Sequence, residues 1–193
     1  MTASNLWNAF QKAFFGSLAK VSDDRLWKAW HIPSERTKFY TAELLQEVTK
    51  DLGLKVRKEW FTVDFALWST GSDNLQIPSI FVESENNPFS ASHEIAKLCC
   101  LAAPLRVLVT VADWEDALPR WPKGSRTKLV TEWCKIREVY TQAWPDSGVV
   151  GVIVGEWGPG DILRFHVFEL PTAGSPFLGE HVAFERHVTA ASL

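Results

Sequence analysis

The run Ile77-Pro78-Ser79-Ile80-Phe81-Val82-Glu83-Ser84-Glu85-Asn86-Asn87 sets carboxylates inside an apolar stretch. Apolar residues bounded by turn formers read as a strand, and a carboxylate within one is costly to bury unless a partner compensates it. Side chains at i and i+2 share a strand face, so Glu83 and Glu85 point the same way. Just upstream, Phe61 to Trp68 reads as a further strand-like run with Asp64 at the equivalent depth. Three acids on neighbouring strands repel one another unless a cation or shared protons offset them.

The elements around these runs follow from periodicity and punctuation. Asn5 to Val21 carries Leu6, Trp7, Phe10, Phe14 and Leu18 at helical spacing, an aromatic face that docks on the chain's own core or, alternatively, on a second copy as a homodimer contact. Asp23 to His31 reads as a short helix ended near Pro33, and Ser34 as the cap of a helix that runs to about Asp51 and stops at Gly53. Leu54 to Trp68 reads as extended, 69–76 as a loop and Ile77 to Glu85 as a strand. A helix over Ala91 to Ala102, closed by Pro104, leads to an apolar strand from Leu105 to Ala112. After a loop over 113–124, Ser125 to Trp144 is a long helix, and Val149–Trp157 pairs with Ile162–Leu170 as a hairpin. The last twenty or so residues show no pattern.

Oxygen-only acid clusters suit magnesium or manganese, the metals of phosphodiester chemistry. An edge strand with one wet face would explain Asp64 or Glu83 singly, but the two runs together point to a metal site. The order helix, Asp on a strand, Glu-x-Glu on the next strand, helix, strand resembles the PD-(D/E)XK nuclease superfamily over roughly Phe39 to Val111. Val63 stands in place of the family's proline and Glu85 in place of its lysine. The resemblance implies an α/β fold of restriction-endonuclease-like type, a central mixed sheet flanked by helices. It further implies hydrolysis of phosphodiester bonds with Mg²⁺ (or Mn²⁺) held by Asp64, Glu83 and Glu85.

Lys97, on the following helix, is the candidate to supply the amine that Glu85 displaces, and His93 shares its helix face. Glu43, on the preceding helix, corresponds to an acid that many family members use to hold a metal-bound water. It reads equally as a solvated face with Glu47 and Lys50. The competing reading is a nuclease-like fold without catalysis, serving as a binding or assembly module.

With 193 residues, 46% of them hydrophobic, the chain can bury a proper core, and we expect a single domain over 1–193. Within it, 1–33 is an N-terminal helical segment, 34–111 the nuclease-like core and 112–193 a helix plus hairpin extension. A net charge of −3 supplies no global basic field for nucleic acid. A local one stands at Arg120, Lys123, Arg126, Lys128, Lys135 and Arg137, opposed in that stretch by Glu132. Arg120, Lys123, Arg126 and Lys128 are the expected phosphate contacts, with DNA the expected nucleic acid. The ten tryptophans are core or interface residues first, although Trp114, Trp121 and Trp133 lie near that stretch, where aromatic faces can stack on unpaired bases. Three cysteines in neither a disulfide framework nor a CxxC clip point to a reduced, cytoplasmic setting. No secretory leader and no membrane span are expected.

Overall fold

The computed structural model describes residues 2–60, 62–70, 76–114, 126–144 and 148–189. Their frame is a seven-stranded mixed sheet whose spatial order is the chain order: β1 (Lys55–Trp60), β2 (Val63–Thr70), β3 (Gln76–Glu85), β4 (Leu105–Val111), β5 (Val149–Gly158), β6 (Ile162–Glu169) and β7 (His181–His187). The first three strands pair antiparallel, β3, β4 and β5 run parallel, and β5 to β7 return to antiparallel pairing. Parallel neighbours need a crossover. Here α5 (Ala91–Cys99) supplies it between β3 and β4, and α6 (Arg126–Ala143) lies between β4 and β5 in the chain.

Alternate residues of the same strands feed two cores. Phe65, Leu67, Ile80, Val82, Val107 and Val109 pack against the N-terminal helices. Ala66, Phe81, Leu108, Val152 and Val154 pack against α5 and α6. The molecule is thus an α/β structure with helices on both faces of the sheet, and the segment expected as an extension adds three strands to that same sheet.

The N-terminal layer is α1 (Ala3–Leu18), α2 (Asp23–His31), α3 (Pro33–Lys38), a π-helical turn over Phe39–Leu44 and α4 (Leu45–Asp51). Thr2 and Ser22 cap the first two helices by accepting the N–H of Asn5 and Arg25. Ser34 does not cap the third. Pro33 occupies its first turn, where its missing N–H costs nothing, and Ile32 precedes it without a side-chain cap. The aromatic face of α1 is spent on the chain's own core: Trp7 is 2% exposed, and Phe10 and Phe14 are fully buried. Trp7 reaches the sheet because Gly151 leaves room, since a Cβ there would lie 2.7 Å from the indole.

Two boundaries differ from the sequence reading. The extended run 54–68 is a tight hairpin, β1 to β2, with Glu59 and Thr62 at positive φ (52° and 62°). The patternless C-terminal segment contains β7, an edge strand with a mostly exposed face. Among the described residues, no helix is long and apolar enough to cross a membrane.

Candidate active site

The β2–β3 register pairs Phe65 with Val82 and Ala66 with Phe81, so one step further Asp64 lies across from Glu83. Both share the face of Ala66 and Phe81, which α5 covers. Asp64 Oδ2 accepts the Ser84 N–H at 2.8 Å, and the Glu83 side chain is 3% exposed. Helix α5 packs through Ala91, Ile95 and Leu98, all fully buried. That seating turns Glu94 and Lys97, one helical turn apart, toward the start of β2. Lys97 Nζ lies 2.6 Å from Glu83 Oε1 and 2.5 Å from Glu94 Oε2, and donates to the Thr62 carbonyl at 3.0 Å. Glu83 Oε1 and Glu94 Oε2 thus have the ammonium as a close charge partner, without a well-aligned hydrogen bond from it.

Electrostatics follow from this crowding. Burial pushes the Glu83 carboxyl up to about 8, with the charge of Asp64 adding and Lys97 opposing. Burial likewise raises Asp64, against the pull of the Ser84 N–H, Lys97 and a hydrogen bond with Glu83. Lys97 is raised: burial alone would lower it, but Glu83 and Glu94 outweigh that. Three acids thus share one ammonium, and burial favours the protonated form of Glu83.

The remaining expected residues are placed as follows. Glu85 is half-buried, two residues beyond Glu83, with Oε1 accepting the Asn87 N–H at 2.8 Å. Glu43 is clamped by Arg25, whose Nε and terminal nitrogen donate to its two oxygens at 2.8 Å each. This pair holds Glu43 below the usual carboxylate range and ties it to the N-terminal helical layer. His93 is exposed, so Lys97 is the residue of that helix face that reaches the acids.

In the basic stretch, Arg126 pairs with Glu180 at 2.8 Å, Lys135 with Glu138 at 3.0 Å, and Arg137 is 1% exposed and donates to the Gly148 carbonyl. Lys128 is exposed on the first turn of α6. Arg120, Lys123 and Trp121 lie outside the described residues. Trp114 and Trp133 are buried and stacked on each other and on Phe168, so they are core residues.

Glu94 was not anticipated. Three residues before a lysine it looks like half of a solvated surface pair, and the packing of α5 reveals the side chain's direction. A second buried network was also missed. Glu156 Oε2 lies 3.0 Å from His166 Nε2, and Glu180 accepts from the Trp114 indole at 3.0 Å. Burial would raise Glu156, but the His166 hydrogen bond and charge hold it low.

Among the described residues, no three His, Cys, Asp or Glu side chains stand together as a ready-made metal cage. The donor chemistry still fits magnesium, which prefers oxygen ligands and is commonly held by one or two carboxylates together with substrate phosphate. Asp64, half-buried, and Glu83, buried, provide such a pair on adjacent strands. Compared with models of protein families, with curated proteins and with solved structures, the chain finds no match.

Proposed function

We propose that this chain is a metal-dependent nuclease of restriction-endonuclease-like fold, hydrolysing phosphodiester bonds of nucleic acid, with DNA as the substrate. The observation that carries the reading is the meeting of Asp64, Glu83 and Lys97 at one end of adjacent strands β2 and β3. The order of elements supports it as well: helix, antiparallel strands bearing the acids, helix, then a strand parallel to the Glu-x-Glu strand.

Asp64 and Glu83 would hold Mg²⁺ or Mn²⁺. When bound, the metal supplies positive charge to the phosphate and acidity to water. Lys97 presents its ammonium beside the same carboxylates, where it can offset charge that develops on the phosphate. Glu94 orients that ammonium from the preceding helical turn. Glu85, farther along the same face, would serve as a base acting through water.

The non-catalytic module draws support from one observation: the ammonium of Lys97 lies 2.6 Å from Glu83 and offsets part of its charge. Cleavage assays with Mg²⁺ and Mn²⁺ on single-stranded, duplex and branched DNA separate the two. We expect metal-dependent cleavage by the wild type, lost in Asp64→Asn and Glu83→Gln and reduced about 10²-fold or more in Lys97→Ala. Unmeasurable turnover in the wild type on every substrate would decide for the module. Full activity in Asp64→Asn would remove the site.

A further inference from the structure

A cavity of about 300 Å³ opens at the C-terminal ends of the parallel strands, on the side of the N-terminal helices. Trp30 and His31 line it from the end of α2 and Arg36 from α3. Asn86, just past β3, Asp113, just past β4, and Trp157 of β5 complete the wall. Open α/β sheets bind ligands beyond the carboxyl ends of their strands, and this volume lies at the lower end for small-molecule sites, about 300–1,000 Å³.

The rings are held in place before any ligand arrives. Trp30 lies over Gly155, where a Cβ would collide with its indole. Trp30 and Trp157 have centroids 6.2 Å apart, and His31 meets Trp157 edge-on at 4.8 Å. The Arg36 guanidinium sits 5.6 Å from the Trp30 ring centre and donates to the carbonyls of Ala29 and Trp30. The Asn86 amide donates to Thr37 Oγ1 at 2.9 Å.

We propose that this cavity takes one unstacked nucleobase, and that the substrate of the Asp64–Glu83 site is accordingly single-stranded, frayed or branched nucleic acid. The proposal rests on the nuclease reading above and adds the substrate class. Aromatic faces stack on every base, and an amide with a carboxylate is the pair of groups that base edges recognise. Arg36 adds a cation for the neighbouring phosphate. Asn86 lies three residues beyond Glu83, about 10 Å along a strand, and bases rise about 3.4 Å per step, so the cavity and the acids fall within a few nucleotides of each other. A chain of net charge −3 cannot grip a backbone by field alone, and stacking supplies a hold that the field does not.

The test is binding of a fluorescein-labelled single-stranded oligodeoxynucleotide of mixed sequence, without divalent metal, read by anisotropy. It is compared with an abasic strand of the same length and with the corresponding duplex. Trp157→Leu and His31→Ala should each weaken binding of the base-bearing strand about tenfold, while Trp157→Phe retains most of it and duplex binding is unchanged. His31 is exposed, so His31→Ala carries the test should Trp157→Leu fail to fold. Equal affinity of the wild type for abasic and base-bearing strands, or no change in the variants, would overturn the proposal. Since no cleavage is read, base-dependent binding by a protein that cuts nothing would count against the nuclease reading alone.

Discussion

At the scale of single residues, Glu83 is where burial and charge conflict most. Its carboxyl is held up to about 8 in the folded chain, whereas an unfolded glutamate releases its proton near 4.3. Between those values the folded state binds the extra proton, so stability is fully present at low pH and falls as pH rises through that window. Glutamine cannot ionise and should lose this slope. In chelator, the urea midpoint of the wild type should fall between about pH 5 and about pH 8.5 by more than that of Glu83→Gln. Parallel pH profiles would mean that Glu83 is already ionised at neutral pH. The pairing of Asp64 with Glu83 was legible in sequence because strand alternation and the order of two adjacent runs fix which side chains share a face. The reach of Lys97 was legible as an option on a helix face. Glu94 was not, because a Glu three residues before a Lys is indistinguishable from solvated surface until the helix is docked.

At the scale of elements, β5 shows what periodicity cannot convey. It reads as an apolar strand, but Gly151 and Gly155 mark where indoles from the N-terminal helices come down onto the sheet. Gly151→Ala should force Trp7 off its position and cost about 1–3 kcal/mol, the usual penalty for overpacking a filled core. Thermal unfolding would register this as a drop of several degrees, which Trp7→Leu in the same chain should partly restore. A midpoint unchanged by Gly151→Ala would show that the indole has room to spare. The β1–β2 hairpin escaped the sequence reading for a related reason. Between Trp60 and Val63 the sequence offers no glycine, proline, asparagine or aspartate, and Thr62 adopts a positive φ that its side chain does not advertise. Strand β7 escaped because an edge strand, wet on most of its face, lacks clean alternation.

At the scale of the whole molecule, one sheet separates two cores, and each helical layer covers only its own side. The acids sit on the α5 face while the aromatic cavity opens on the other, so the strand ends are the route by which a flexible chain could touch both. The N-terminal layer therefore matters for more than coverage, because it supplies the cavity's Trp30, His31 and Arg36. The sequence left α1 two destinations, its own core or a second copy, and amphipathicity alone cannot choose between them. Phe10 discriminates, being fully buried within the chain itself and stacked with Trp7 and Phe14. Phe10→Ala should cost about 3–5 kcal/mol, the range for removing a buried phenyl ring. If α1 docks at home, that loss and the wild-type unfolding midpoint are both independent of protein concentration. A helix buried between copies would instead give a midpoint that climbs with concentration, because association stabilises by mass action. Denaturation of wild type and Phe10→Ala across a hundredfold range of concentration therefore reads the destination of α1 directly. A midpoint that rose with concentration in the wild type and not in the variant would make this face an interface between copies.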